Sequence, residues 1–443
     1  MAYTETRHHE LRKTRLQMVD GNLVLNQRQS EGGISSRVYE GGYWGFASAP
    51  QGDAAALQQQ ARRNAQAMAR FGPRTAHPLP GGSYRGEHRF HGKPPISSGQ
   101  AAEQLAALHA YCKRRYPGLK SSRFMLLEEE HSKRLVTSEG GESLSSIQRA
   151  TCHLVLVAED AQGAPVEIYE PLSVKGGLGD LDLSVQALAP TLDHLHEHLQ
   201  AKRHAVAAVG GLHTVVMAPA LAGILAHEAM GHPCEADIVL GGAVTADLLG
   251  QRVGSDLITM IDYAHSVNGQ EAMVPVYVDD EGTPARDAVL IERGILKGYM
   301  SSRETAARLR IEPSGSARAF GPHDEPLVRM RNTAILPGTD RYEEMIAGVE
   351  SGYLLLKTGN GQADSTTEFM FGITLAYEIK DGRVGRAIRD TTLSGSAIKV
   401  LQSVDAVSDD MLWTCSGYCG KKQTMVVSMG GPALRARAHL GGQ

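Results

Sequence analysis

The sequence predicts an α+β fold with two domains, a mixed helix and strand domain over residues 1–205 and a mainly antiparallel β domain over residues 206–443. Three observations favour this division. A chain of 443 residues is longer than one hydrophobic core usually serves. Helical and strand patterns are mixed along the first half, whereas short strand patterns bounded by turns dominate the second. We place the boundary near residues 200–208.

The first half combines helices with paired strands, and capping or breaking residues set their limits. Three helices are predicted: one capped by Asp53 that stops at Gly72-Pro73, one capped by Ser98 that ends near Tyr116-Pro117, and one from about Leu183 to Arg203. The predicted strands are a strand with a glycine-rich turn over 38–48, paired strands at 124–127 and 134–137, and a hairpin of 152–158 with 165–169. A polar connector is expected over residues 74–95.

The second half is predicted to consist mainly of strands joined by tight turns. The strand patterns are 274–278 before the turn at 279–282, 289–291 and 295–300 on either side of Arg293-Gly294, and 369–379 before Asp381-Gly382. Residues 205–226 carry no formal charge, but they contain Gly210, Gly211 and Pro219. A buried strand followed by a buried helix explains this stretch better than a membrane span.

The composition is that of an ordinary globular protein, with 42% hydrophobic and 21% charged residues. A formal net charge of −4 gives no electrostatic footprint for nucleic acid, so no nucleic-acid partner is expected. Residues 1–16 lack the apolar core of a signal peptide. The five scattered cysteines do not resemble a disulfide framework. Together these features indicate a cytoplasmic protein without membrane spans.

The stretch His227-Glu228-Ala229-Met230-Gly231-His232 is the most informative part of the chain. Nearby histidines can bind zinc, and a glutamate beside the first can take a proton from zinc-bound water. This combination indicates a metal-dependent hydrolase, most simply a peptidase. A purely structural zinc site would have no use for a base beside a ligand, so Glu228 argues against a site that only binds metal.

The spacing of the two histidines is unusual, because the common zincin motif places them four residues apart. Five residues at about 100° each leave two side chains about 140° apart on an ideal α-helix. The helix must therefore distort or end between them. We expect a helix from about Pro219 to Met230, closed by a left-handed Gly231, with His232 on the turn that follows.

A third ligand is needed, since catalytic zinc usually has three protein ligands and an open position. The downstream candidates are His265, His323, Cys415, Cys419, His439 and several carboxylates. Spacing does not choose among them. A cysteine in the glycine-flanked turn Gly417-Tyr418-Cys419-Gly420 has suitable chemistry, since thiolates bind zinc strongly.

Several motifs in a fixed order resemble the TldD/PmbA family of cytoplasmic metallopeptidases, specifically its TldD branch. They are YEGGYWGFAS (39–48), HEAMGHPCEAD (227–237), VDDEGTP (278–284), LIERGILKGYM (290–300), VRMRNTAILPG (328–338), GNGQAD (359–364), TLSGS (392–396) and YCGK (418–421). The resemblance spans nearly the whole chain and is strongest from residue 220 onward. It implies a zinc peptidase that acts on unfolded or extended peptides.

The resemblance also implies the roles of individual residues. Zinc would be held by His227, His232 and Cys419, with Glu228 as the general base. Cys234 and Cys415 are the competing thiols, and Cys419 fits the family turn better. The partner would be a TldE/PmbA-like paralogue that lacks the motif, in a heterodimer, with a homodimer as the alternative.

Two further pairs of residues have both a functional and a structural interpretation. Glu235 and Asp237 either orient the ligand histidines or cap the next turn. Gly359 and Gly361 either line a groove where an extended peptide adds to a sheet edge or belong to a simple loop. Lys421-Lys422 is expected to be solvated surface, or else to bind the carboxyl end of a substrate.

Other candidate features have simpler explanations. His194, His196 and His198 are expected to lie on a solvated helical face, because residues two apart point in different directions. Cys112 and Cys152 are interpreted as small core residues. Two alternative functions remain: an amide hydrolase dedicated to peptide natural-product maturation, and a metal-binding partner subunit without hydrolytic activity. Loss of activity on changing Glu228 would argue against the second.

Overall fold

A long, mostly antiparallel sheet forms the N-terminal half of the protein. The computed structural model describes residues 2–90, 92–363 and 366–442. The strands of this half are β1 (Tyr3–Val19), β2 (Asn22–Glu40), β3 (Tyr43–Ala49), β4 (Arg85–Arg89), β5 (Ser121–Thr137), β6 (Glu142–Glu159) and β7 (Pro165–Lys175). They are ordered β3-β2-β1-β5-β6-β4, and β7 pairs with the remainder of β6. Only the pairing of β4 with β6 is parallel among these described strands.

The predicted helices of this half are present as α1 (Ala54–Met68), α2 (Ser98–Arg115) and α3 (Val185–Lys202), and a 3-10 turn at Ala69–Phe71 extends α1. The Asp53 carboxylate accepts hydrogen bonds from Ala55 N and Ala56 N, so the predicted cap is confirmed. The cap of α2 is Ser97 rather than Ser98, because Ser97 and Gln100 form a reciprocal capping box.

Two strand predictions in this half are wrong. Residues 124–127 and 134–137 belong to the single strand β5 and do not pair with each other. The charged stretch between them is not a turn, because Glu129 forms an ion pair with Arg149 at 3.0 Å and Lys133 forms one with Asp280 at 2.7 Å. The connector expected over 74–95 contains β4, which pairs with β6. The predicted hairpin of 152–158 with 165–169 is confirmed as β6 with β7, and the strand with a glycine-rich turn expected over 38–48 contains the end of β2, the turn and most of β3.

The C-terminal half is mainly antiparallel β structure with short helices. Its strands are β8 (Gly211–Met217), β9 (Met260–Tyr263), β10 (Ser266–Val267), β11 (Gln270–Glu271), β12 (Ala288–Glu292), β13 (Ile295–Leu296), β14 (Ala317–Arg318), β15 (Leu327–Val328), β16 (Asn332–Ile335), β17 (Ser351–Ala363), β18 (Glu368–Lys380), β19 (Arg383–Ile388), β20 (Thr391–Ser396), β21 (Ala406–Val407), β22 (Leu412–Thr414), β23 (Tyr418–Lys421), β24 (Gln423–Val426), β25 (Ser428–Gly431) and β26 (Leu434–Leu440). Its helices are α4 (Pro219–Leu225), α5 (Ala236–Leu240), α6 (Arg303–Leu309), α7 (Tyr342–Ala347) and α8 (Ala397–Gln402).

Two larger sheets organise these strands. One has the order β13-β12-β9-β16-β25-β22. The other has the order β17-β8-β26-β20-β18-β19, and an additional pairing of β17 with β18 closes part of it into a ring. β23 and β24 form a separate two-stranded hairpin within the described chain. This hairpin, which we call the Cys419 hairpin (418–426), therefore depends on side chains for its position against the two sheets.

The predicted strand at 274–278 is wrong. In this segment only Val278 makes a bridge, an isolated one with Pro284, among the residues described. Pro275 has no N–H to donate, and the Val274 N–H donates to the side chain of Asn332 rather than to a strand. The predicted strands beside Arg293-Gly294 and before Asp381-Gly382 are present as β12, β13 and β18, with β13 shorter than expected.

The uncharged stretch 205–226 forms β8 followed by α4, as predicted. Within the described residues, no helix has both the length and the apolar character needed to cross a membrane. The last three residues of β8 and most of α4 are buried, and α4 packs in a core with the segment that follows it.

The described residues form two large hydrophobic cores and three small clusters. One surrounds α4 and includes Leu225, Met230 and Met425. The other lies beneath α2 and α3 and also includes Val216 and Leu354 from the C-terminal half. The N-terminal sheet and the C-terminal strands therefore share apolar contacts across the proposed boundary at 205/206, and that boundary stays a prediction.

Candidate metal centre

A change of helix type brings the two histidines of the motif together. After α4 the chain continues as a π turn over Ala226–Gly231 and then a 3-10 turn over His232–Cys234. The backbone N–H of His232 donates to the carbonyl of His227, which lies five residues earlier. A π turn is wider than an α-helical turn and rotates less per residue. Side chains five positions apart therefore lie on nearly the same face. The two imidazole centroids are 5.2 Å apart.

The expected left-handed ending at Gly231 is wrong. Gly231 has φ −62° and ψ −54°, which is right-handed helical backbone. Its lack of a side chain is needed for another reason, since a Cβ at this position would lie 2.2 Å from the sulfur of Met330. The helix therefore distorts and continues instead of ending before His232.

Cys419 approaches the two histidines from the Cys419 hairpin. Its Sγ lies 3.1 Å from Nε2 of His232. One ligand atom from each of His227, His232 and Cys419 lies within 4.8 Å of the others, and no second such group of His, Cys, Asp or Glu is found in the described part of the chain. This arrangement joins residues that are 187 positions apart in the sequence.

The donor set fits a zinc ion. Two imidazoles and a thiol are typical zinc ligands, and three protein ligands leave a position open. His227 is only 1% exposed, and its buried Nδ1 has no hydrogen-bond partner in the structure. The fit to zinc therefore rests on the chemistry of the donor set, two imidazoles and a thiol.

The electrostatics of the site favour a thiolate. Burial raises the pKa of Cys419, but the neighbouring His227 and His232 outweigh it and lower the pKa to about 5. Burial lowers the pKa of His232, but hydrogen bonds with Cys419 and Glu235 raise it to about 10. The thiolate is the form of cysteine that binds metals.

Glu228 lies at the edge of this group. Its Oε2 is 3.8 Å from Nε2 of His232, and its side chain is 25% exposed. The carboxylate is therefore close to the candidate metal ligands and also accessible to water. This position allows proton exchange between the site and solvent.

Glu235 contacts a ligand histidine, whereas the contacts of Asp237 in the described structure are with Lys421 and Ile238. Oε2 of Glu235 accepts a hydrogen bond from Nδ1 of His232 at 2.8 Å. Glu235 stands at the start of α5 but makes no side-chain capping bond there. The Asp237 carboxylate contacts Nζ of Lys421 at 2.9 Å and accepts from the N–H of Ile238.

The other proposed third ligands lie elsewhere. Cys234 is fully buried, and burial raises its pKa to about 12. Cys415 lies beside the guanidinium of Arg149. His265 stacks on Tyr277, His323 is near Glu31, and His439 is in β26. None of these five joins the group of metal-ligand atoms found among the described residues.

Gly359 and Gly361 belong to β17 and not to a simple loop. The pairing of β17 with β18 is irregular here, with register shifts between Thr358 and Gly361. A Cβ at Gly361 would meet the ring of Phe371 at 2.5 Å. Asp364, the last residue of the GNGQAD motif, lies outside the described residues.

Lys421 and Arg329 are parts of the site that the sequence analysis missed. Lys421 was expected to be solvated, but its side chain is only 14% exposed and its Nζ lies 3.2 Å from Oε2 of Glu235. Arg329 is fully buried and donates to the carbonyl of Cys419. Arg329 lies in the motif VRMRNTAILPG and Lys421 in YCGK, and both motifs carry the family resemblance. Their place in these motifs is the sequence feature that could have indicated a role in the site.

The remaining histidine cluster contains no metal group within the described structure. His198 contacts both His194 and the hydroxyl of Tyr377, and His196 stacks on Tyr116. A cleft of about 540 Å³ opens elsewhere, between β4 and residues 274–280, and contains none of the proposed site residues. The candidate metal ligands therefore lie outside that cleft.

Comparisons with known proteins agree with the motifs. A family model described as the PmbA/TldA metallopeptidase C-terminal domain matches residues 210–440, and one described as PmbA/TldA metallopeptidase domain 1 matches residues 4–67. A zinc metalloprotease TldD homolog of Saccharolobus solfataricus is 30% identical over 76% of this chain and 73% of its own. A metalloprotease of Methanothermobacter thermautotrophicus is 30% identical over 99% of this chain and 95% of its own.

Solved structures share the fold at low sequence identity. A putative modulator of a DNA gyrase from Thermotoga maritima has a TM-score of 0.81 at 17% identity, covering 99% of this chain and 96% of that one. TldE from Thermococcus kodakarensis has a TM-score of 0.77 at 17% identity, covering 99% and 97%. These two likenesses concern the fold alone.

Fold and site together define a mixed α/β protein with a candidate metal centre built on a π turn and a β-hairpin. The matching family models and full-length relatives identify it further. The chain belongs to the TldD/PmbA family of metallopeptidases.

Proposed function

We propose that this protein is a zinc-dependent peptidase that hydrolyses peptide bonds in unfolded or extended peptides. The observation that carries the proposal is the convergence of His227, His232 and Cys419, with the partly exposed carboxylate of Glu228 beside them. The relatives named as metalloproteases support the same reaction class.

Each residue has a distinct role in the proposed reaction. His227, His232 and the Cys419 thiolate would hold the metal. A bound zinc ion would activate a water molecule and polarise the scissile carbonyl. The Glu228 carboxylate accepts the proton of the attacking water and delivers it to the nitrogen of the leaving amine. Glu235 keeps Nδ1 of His232 hydrogen-bonded, which leaves Nε2 as the nitrogen that would bind a metal.

Peptide binding is assigned to the edge of β17. β8 pairs with β17 only through residues 352–355, and beyond Met217 the chain turns into α4, which leads to the metal ligands. On that side, no described strand pairs with 359–361. An extended peptide added there would be held through its backbone, with Gly359 and Gly361 allowing close approach. This mode of binding reads little of the side-chain sequence.

The proposed assembly is a heterodimer with a TldE/PmbA-like paralogue that lacks the metal motif. The structural likeness to TldE of Thermococcus kodakarensis supports a partner with the same fold. The five cysteines are buried and free, which suits a reducing cytoplasm. Native mass measurement after co-expression with the paralogue tests the assembly, and a stable, active monomer would contradict it.

The catalytic proposal is tested by zinc content and peptide hydrolysis in wild type, Glu228→Gln and Cys419→Ala, each with and without the paralogue. We expect one zinc per chain in wild type and Glu228→Gln, loss of zinc in Cys419→Ala, and hydrolysis in wild type only. Cys415→Ala is the matched control, since this buried cysteine is four residues away and outside the ligand group. Zinc retained by Cys419→Ala would refute the ligand set, and zinc without hydrolysis under any pairing would favour a binding-only subunit.

A further inference from the structure

Arg329 lies at the junction between the Cys419 hairpin and the rest of the candidate metal centre. It follows β15 and its side chain is fully buried. Its Nη2 donates to the carbonyl of Cys419 at 2.8 Å, and its Nη1 donates to the carbonyl of Gln423 at 2.8 Å. The two carbonyls belong to the two strands of the hairpin. One guanidinium therefore holds both strands.

The same guanidinium faces the carboxylate that orients His232. Nε of Arg329 lies 4.0 Å from Oε1 of Glu235, an electrostatic contact without a hydrogen bond, and both side chains are fully buried. The other oxygen of Glu235 accepts the hydrogen bond from His232 and lies 3.2 Å from Nζ of Lys421. A continuous chain of contacts thus connects the imidazole of His232 to the backbone of Cys419.

The hairpin needs such contacts because neither of its strands pairs with a larger sheet in the described chain. Arg318 binds its backbone at the Val426 carbonyl and Arg329 at the Cys419 carbonyl, and Arg149 binds the carbonyl of Gly417 just before the hairpin. Of these three, Arg329 is the one with an ion pair to Glu235. Its position couples the thiol ligand to an imidazole ligand.

We propose that Arg329 is a positioning residue of the metal centre, which fixes the Cys419 hairpin against Glu235 and so sets the distance between the thiolate and His232. This inference rests on the proposed ligand set. A metal bound by three side chains from two separate elements is sensitive to small displacements, because ligand distances are fixed within a few tenths of an ångström. A buried arginine that only supported the fold would not alter the geometry at the metal.

Arg331 provides a matched control two residues away. It is as fully buried as Arg329 and also carries its charge against a carboxylate, through Nε to Asp262 at 2.7 Å. Its remaining bonds reach the carbonyls of Ser314, Gly315, Asp262 and Arg286, and none of these belongs to the Cys419 hairpin. The two arginines are thus equally buried, but only Arg329 contacts the Cys419 hairpin.

The test compares wild type, Arg329→Met, Arg329→Lys, Arg331→Met and Cys419→Ala after replacement of the metal by Co²⁺. The readouts are the thiolate-to-cobalt charge-transfer band, the zinc affinity from chelator competition, and the folded fraction from circular dichroism. We expect Arg329→Met to lower zinc affinity by about 10- to 100-fold, the range found for residues that support metal ligands, and to weaken the band. In the Arg331→Met molecules that fold, the zinc affinity and the charge-transfer band should be unchanged.

Each outcome separates this inference from the proposed function. Wild-type affinity and band in a folded Arg329→Met variant, or an equal loss in Arg331→Met, would overturn the positioning role. A band retained by Cys419→Ala would overturn the ligand set itself. If Arg329→Met does not fold, Arg329→Lys and Lys421→Met carry the test, since Lys421 holds Glu235 from a partly exposed position. If Arg329→Lys and Lys421→Met both bind zinc with the affinity of wild type, the inference is overturned.

Discussion

His232 donates its backbone N–H to the carbonyl of His227, and this single bond between residues five apart defines the geometry of the candidate site. An α-helix would direct the two imidazoles about 140° apart, whereas the π turn directs both toward Cys419. The unusual spacing of the motif and the unusual local backbone are therefore the same feature.

The tight packing around Gly231 gives the first prediction. A methyl group there would meet the Met330 sulfur, so Gly231→Ala should destabilise the protein by about 1–3 kcal/mol through overpacking. It should also weaken metal binding, because the π turn must shift. Chemical denaturation and chelator competition measure the two effects. Gly118→Ala is the control, since a Cβ there has no neighbour within 4 Å, and an equal loss in both variants would contradict the prediction.

The carboxylates after the motif give a second prediction. Glu235→Gln removes the charged acceptor of His232 and leaves Arg329 and Lys421 facing a neutral group. We expect about a 10- to 100-fold loss of zinc affinity and a loss of stability on the order of 3–5 kcal/mol, typical of a broken buried ion pair. Asp237→Asn, which keeps the contact between Glu235 and His232, should reduce zinc affinity less. Equal losses would show that Glu235 has no specific role.

The thiolate gives a prediction for the metal-free protein. The pKa of Cys419 falls from 9.0 to about 5, so the stability this group contributes is lost progressively as pH falls from 9 to 5. The pKa of His232 rises from 6.5 to about 10, so its contribution is lost as pH rises from 6.5 to 10. Between pH 6.5 and 9 the two slopes oppose each other, and stability should be nearly flat.

Urea unfolding of the metal-free protein across this pH range measures the effect. The stability of wild type should decline below pH 6.5 more steeply than that of Cys419→Ser, which lacks an ionisable thiol at this position. Parallel curves for the two proteins would mean that Cys419 is not ionised in the folded state.

The edge of β17 gives a prediction about substrate. Gly361→Ala should lower stability by about 1–3 kcal/mol and reduce kcat/KM for peptides, because its Cβ would displace the ring of Phe371 and reshape the strand. Gly359→Ala should have a milder effect on stability, since the nearest contact is the Thr374 methyl at 3.3 Å. If neither variant changes kcat/KM, the peptide binds elsewhere.

The sequence predicted those parts of the fold where local patterns decide the outcome. Asp53 followed by an alanine-rich run is sufficient for a capped helix, and Asp381-Gly382 is sufficient for a turn. It did not predict β1 or the part of β2 before Val38, because many of their buried residues are polar or charged. Arg37 on β2 bonds to Glu281 at 2.7 Å, a partner 244 residues away, and no apolar alternation reveals such a strand.

The candidate site was predictable to a similar extent. Motif chemistry and family resemblance pointed to His227, Glu228, His232 and Cys419, and the structure brings these side chains together. The π turn was not predictable, since no residue preference distinguishes a bond across five residues from an interrupted helix. The contacts of Arg329 and Lys421 depend on how a hairpin docks, and this is a property of the tertiary structure.

The long separation between His232 and Cys419 in the sequence also determines when the site can form during synthesis of the chain. A ribosome adds about 5–20 residues per second, so roughly 10–40 seconds pass between synthesis of the second histidine and of the cysteine 187 residues later. A metal centre that needs both cannot assemble during this interval. The proposed peptidase site is therefore incomplete in the growing chain until most of the molecule has been made.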